Sequence, residues 1–185
     1  MKRVLALFVI LLSMSPLASA TAQIPETLIL DGTARVLFTN PLDPWLREHG
    51  NADKLLSYIS EQRCSASWRG YAGNWEIIND QLVLVKLRVN PCGQNSTDVL
   101  LSALFPRQTV PIVATWFSGR LTVPDGKQTE YVHMGYMSKY ERYILFQIER
   151  GKIISRQIVT ELPESSSEPK PFVGMDAPPP PRIVP

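Results

Sequence analysis

The sequence predicts a β-rich α+β domain: a mostly antiparallel sheet, sandwich-like or barrel-like, with two or three short helices. Three observations carry that expectation. Residues alternate at period two through 67–77, with Tyr71, Gly73, Trp75 and Ile77 on one face and Trp68, Gly70 and Ala72 on the other. Short turn pairs, Asp31-Gly32, Asn79-Asp80 and Arg150-Gly151, separate apolar runs at hairpin spacing. Stretches of helical period are few and short, and frequent turns between short strands suit this architecture.

In chain order, 27–30 and 33–39 form the first expected hairpin, because Asp-Gly accepts the positive φ that a type I′ turn requires at both central positions. Asn40-Pro41-Leu42-Asp43-Pro44 then interrupts the sheet, since proline cannot donate to a ladder and disfavours helix at the residue before it. Pro44 can open a helical turn through Trp45-Leu46-Arg47-Glu48, with His49 as a cation at its end. Asn51 caps a second helix that places Leu55, Leu56 and Ile59 on one stripe.

Residues 81–89 return from the Asn79-Asp80 turn as a strand apolar on both faces at its start, which places it inside the sheet. Gly70 and Gly73 mark bulges or the close approach of another backbone. Residues 98–104 read as a short helix ended by Phe105-Pro106, and 110–123 as extended chain. Pro124-Asp125-Gly126 reads as a turn, with 130–136 as a further strand beyond it. The last hairpin pairs 143–149 with 152–159.

The flanks differ from this domain. Lys2 and Arg3, the apolar run 4–12 and Ala18-Ser19-Ala20 have the three parts of a secretory signal peptide over 1–20. The apolar run would rise only about 13.5 Å as a helix, too short to span a bilayer. Residues 161–185 hold eight of the sixteen prolines, with Ser165-Ser166-Ser167 and the run Pro178-Pro179-Pro180-Pro181. This composition lacks periodic apolar residues and reads as a disordered Pro-rich tail, either a spacer or a polyproline ligand. A single globular domain is left over 24–160, long enough to bury a core.

Cys64 and Cys92 are the only cysteines. In an oxidising envelope a lone pair reads as one disulfide, while a metal site lacks both a nearby histidine and a CxxC spacing. Without Lys2 and Arg3 the charges balance at 17 of each sign, and no basic block stands in the mature chain. Nucleic acid is therefore not an expected partner. The expected location is the periplasm, with full secretion as the alternative.

Four stretches carry a family resemblance: 39–45 (TNPLDPW), 65–77 with Trp68-Arg69-Gly70-Tyr71 and Trp75-Glu76-Ile77, 115–124 (TWFSGRLTVP), and 131–136 (YVHMGY). In order and spacing they resemble a family of small uncharacterised bacterial proteins with WRGY, WFSGxLxIPxG and YVHMGY-type segments. The resemblance spans 28–159 and implies no reaction or cofactor. Its members usually carry glycine where this chain has Met137, and typically lack the leader and tail, which implies a role moved to the envelope.

Candidate chemistry concentrates in one place. His133 lies in sequence among Tyr131, Tyr136, Tyr140 and Glu141, and an imidazole with Glu141 could perform acid–base work. The commoner role of such a histidine is structural, bonded to its neighbours. No nucleophile elbow, phosphate loop, paired-carboxylate or metal-binding spacing occurs, so neither hydrolase nor nucleotide chemistry is signalled. Trp68 and Arg69 are the expected surface contacts, with Tyr131, His133 and Tyr136 completing the binding set. The leading reading is a non-enzymatic module that binds an envelope protein, in the manner of an inhibitor or immunity protein. A small-molecule binder or small enzyme using His133 and Glu141, and a structural component with a spacer tail, are the alternatives.

Overall fold

A computed structural model describes residues 22–49, 59, 61 and 63–163. The expected leader, most of the Asn51-capped helix and residues 164–185 of the expected tail lie outside the described residues.

Nine strands form one mixed, mostly antiparallel sheet: β1 (Glu26–Leu30), β2 (Thr33–Leu37), β3 (Tyr71–Ile78), β4 (Gln81–Val89), β5 (Thr97–Val99), β6 (Ile112–Val113), β7 (Gly119–Glu130), β8 (Lys139–Glu149) and β9 (Lys152–Val159). Among the described residues two helices with complete bounds accompany them, α1 (Asp43–His49) and α2 (Leu101–Leu104), and Ile59 and Glu61 are also helical. The strand order is β2-β1-β3-β4-β9-β8-β7, with β5 and β6 added to β4. Only β1 and β3 run parallel, with Leu28 opposite Trp75. The ends of the sheet approach each other where Phe38 N donates to Thr122 O at 2.8 Å, but no ladder closes them into a barrel.

All three expected turn pairs adopt positive φ at both positions: 52° and 73° at Asp31-Gly32, 50° and 58° at Asn79-Asp80, 47° and 81° at Arg150-Gly151. Tight hairpins of this kind match the right-handed twist of the strands they join. β4 sits inside the sheet as its two-faced apolar start predicts, and Leu82, Leu84, Leu87 and Val89 join the main core with Trp75, Tyr71, Leu121 and Phe146.

Three expectations are corrected. β7 runs through Pro124-Asp125-Gly126 to Glu130 instead of turning there. Its pairing with β8 slips between Asp125 and Gln128, so Gly126, at φ 82°, serves a bulge. The strand expected over 130–136 is a loop beyond Glu130, since β8 begins only at Lys139. In 98–104, β5 takes the chain to Val99 because Asp98 and Val99 pair with Arg88 and Leu87, leaving only Leu101–Leu104 helical. A neighbouring strand competes successfully with a weak local helical preference there.

Cys64 and Cys92 form a disulfide, tying the loop before β3 to the turn after β4. His49 ends α1, stacked 4.6 Å from Trp45, with Nδ1 2.9 Å from Trp45 O. No helix among the described residues is long and apolar enough to cross a membrane.

Candidate functional site

The most unusual chemistry starts at Glu26, the first residue of β1. Strand alternation puts it on the same face as Leu28 and Leu30, so the carboxyl is fully buried. Trp75 on the neighbouring β3 donates its Nε1–H to Glu26 Oε2. Gly73 leaves room for this pair: a Cβ there would run into Glu26 Oε2 and lie 2.7 Å from Trp75 Nε1. The close approach expected at Gly73 is thus by a side-chain carboxylate. β3 and β4 also change register at Asn74/Trp75.

Arg69 reaches the same spot from the loop ahead of β3. Its Nε stands 3.8 Å from Glu26 Oε1 and its Nη2 donates to Ile24 O at 2.9 Å. The guanidinium covers the ring of Tyr71 at 5.5 Å and that of Tyr136 at 5.9 Å. Tyr71 donates its hydroxyl to Asp43 Oδ1 at 2.5 Å, and Tyr136 donates to Asn40 Oδ1 at 2.8 Å. Phe38 stacks on Tyr136, centroids 5.0 Å apart. One buried network therefore joins β1, α1, β3 and the 131–138 loop.

Burial pushes the Glu26 carboxyl up to about 7, against the opposing pull of Arg69 and the Trp75 hydrogen bond. Burial also raises Asp43, again opposed by its hydrogen bond from Tyr71. The phenols of Tyr71 and Tyr136 are pushed up by burial and stay protonated donors.

A pH dependence of stability follows, with its sign set by the raised value. The folded chain holds a proton on Glu26 that the unfolded chain releases above its ordinary value of 4.5. Stability is then full below pH 4.5 and declines as pH rises towards 7, by roughly 2–3 kcal/mol. Asp43 slopes the same way, whereas Asp98 and Asp125, lowered by Lys86 and by Arg35 with Arg142, act below that window. Urea unfolding across this range should show the decline in the wild type, and Glu26→Gln should remove most of it.

The predicted site residues separate into four places. Arg69, expected on the surface, is instead 11% exposed at the centre of the network with Tyr136. An arginine beside a buried carboxylate and two rings gains more from stacking and charge than from water. Trp68 points outward and is 62% exposed. Tyr131 and His133 meet edge to face at 4.5 Å on the exposed loop after β7. Glu141 lies on β8, where its Oε2 accepts from Lys127 N at 2.9 Å, and its hydrogen bond is to that backbone amide, whereas the His133 ring contact is with Tyr131.

The loops carrying Trp68 and His133 are pinned to one segment, 22–24. Ile24 N donates to Ala66 O at 2.7 Å, Trp68 N donates to Gln23 Oε1 at 3.0 Å, and Ala22 bridges Gly135. Trp68, Tyr131, Met134 and Met137 are each at least half exposed on these two loops. Met134, Met137, Glu26 and Asp43 were missed by the sequence reading. Only Glu26 had a signal, as a carboxylate in register with Leu28 and Leu30.

Elsewhere, a shallow groove of about 230 Å³ lies over β7, β8 and β9, lined by Arg120, Leu145, Gln147, Ser155 and Gln157. It brings together no acid–base pair. Among the described residues no cluster of three His, Cys, Asp or Glu side chains could hold a metal ion. No family model, curated protein or solved structure matches the chain.

Proposed function

We propose that the chain is an exported protein-binding module that engages an envelope partner through Trp68, Tyr131, Met134 and Met137. The observation that supports this reading is the exposure of these four large apolar side chains on two loops that a buried network holds together. Aromatic residues and methionine are the side chains enriched at protein interfaces, and an ordered pair of loops loses little entropy on binding. The leader over 1–20 would deliver the chain to the compartment in which Cys64 and Cys92 oxidise. An inhibitor or immunity protein is the most concrete form of such a module.

The test is crosslinking in cells and affinity purification of the processed, tagged protein, read by mass spectrometry and compared with Trp68→Ala. The expected result is one stoichiometric envelope partner, captured at least tenfold less by the variant. Because Trp68 is largely exposed, the substitution should change stability by no more than about 0.5 kcal/mol. Equal capture by the variant would remove this surface from the reading.

A further inference from the structure

Glu26 is sealed from water, yet its charge is poorly compensated. Oε2 takes the Trp75 N–H with the Gly73 amide alongside, but Oε1 has no hydrogen-bond partner. The nearest cation, Arg69 Nε, stands 3.8 Å away, and that nitrogen also makes no hydrogen bond. The other groups facing the carboxyl are Tyr71 from β3, Asp43 from α1 with Arg47 behind it, and Tyr136 from the 131–138 loop. Asp43 is an acid, so it opposes a second negative charge at Glu26.

The lid on this carboxyl is made of the same parts that present the exposed side chains. Arg69 follows Trp68 directly, binds Ile24 O, and lies over Tyr136, one residue from Met137. Separating Arg69 and the 131–138 loop from the 22–24 segment would break the Arg69–Ile24 hydrogen bond and part the guanidinium from the carboxyl beneath it.

We propose that Glu26 is a proton-operated latch on the docking surface: protonated, it keeps the 63–70 and 131–138 loops closed around Arg69, and charged, it favours their opening. In its regulatory role the latch rests on the docking reading above, but the latch itself can be observed without a partner. Opening hydrates the carboxyl and returns it from about 7 towards its ordinary 4.5. Linkage then makes the open form up to about three-hundredfold more populated on the alkaline side than on the acid side.

The experiment is amide hydrogen exchange by NMR on the full mature chain, with carboxyl ¹³C detection of Glu26. The reporters are the amides of Gln23, Ile24 and Trp68, which donate to Gly135 O, Ala66 O and Gln23 Oε1 across the parting surfaces. Ile144, within β8, serves as reference. After correction for intrinsic base catalysis, protection at the three reporters, lower than at Ile144 throughout because Ile144 reports global unfolding, should fall by about tenfold between about pH 6 and about pH 8. The Glu26 carboxyl should titrate near 7. Glu26→Gln should abolish the step, and His133→Gln should leave it in place, which separates the latch from the exposed imidazole on the 131–138 loop.

A flat wild-type profile, a step that survives in Glu26→Gln, or a step lost with His133 would overturn the proposal. Should Glu26→Gln fail to fold, a wild-type carboxyl titrating in the ordinary range would overturn it equally. A step present in a protein whose Trp68 surface captures no partner would remove the docking reading and leave the latch.

Discussion

Replacing Trp75 by alanine should destabilise the protein by about 4–5 kcal/mol, the largest effect of any single substitution considered. Trp75 is completely buried, pairs in register with Leu28, and packs in the main core. Removing the indole leaves a cavity walled by strands that cannot collapse without breaking their ladders. It also removes the donor on Glu26 Oε2, leaving a sealed carboxylate with less compensation. Trp75→Phe separates the two effects, because it fills most of the space but donates nothing. Its expected loss is about 2–3 kcal/mol, steeper at high pH than at low pH, since the lost donor favoured the charged form. Denaturant unfolding at two pH values decides this. A phenylalanine variant as stable as the wild type at both would show that the indole N–H contributes nothing.

Breaking the Cys64–Cys92 bond should remove about 3–4 kcal/mol, the value expected for releasing a loop of 28 residues in the unfolded chain. The expected site of damage is specific. The bond ties the loop bearing Trp68 and Arg69 to the turn that follows β4, so its loss frees the backbone that carries the guanidinium over Glu26. Unfolding with and without reductant, and of a Cys64→Ser/Cys92→Ser double variant, should agree within about 1 kcal/mol if chain entropy is the main origin. A loss below about 1 kcal/mol would show that the ladders around β3 and β4 already restrain these loops.

Hairpins were the most legible part of the fold, because their signal is local. Asp31-Gly32, Asn79-Asp80 and Arg150-Gly151 need only their own φ angles, and all three turn as read. Pro124-Asp125-Gly126 has the same turn chemistry yet continues as strand, since β8 lies alongside and absorbs the positive φ of Gly126 as a bulge. The 98–104 segment went the same way when β4 recruited Thr97–Val99. The choice between turn and bulge, or helix and strand, lay with a partner distant in sequence.

The site was less legible than the fold. Trp68-Arg69 could be picked out as a pair, but adjacent residues of a loop need not share an environment: Trp68 faces water and Arg69 a buried acid. His133 and Glu141 looked coupled because eight positions separate them, yet the 131–138 loop and β8 carry them to different neighbours. Glu26 and Asp43, separated by 17 positions, act in one network because Arg69 and Tyr71 lie between them.

By itself the sequence determined the strand-rich class, the hairpin turns, the interior place of β4 and the pairing of its two cysteines. Each depends on short-range backbone preference, on alternation along one strand, or on there being no other thiol. Tertiary structure alone decided that the sheet stays open, that Arg69 turns inward, and that an acid at the head of β1 is sealed beneath a tryptophan. Those outcomes depend on which distant segments share a low-dielectric space, where burial raises a carboxyl to about 7 against the pull of a neighbouring cation.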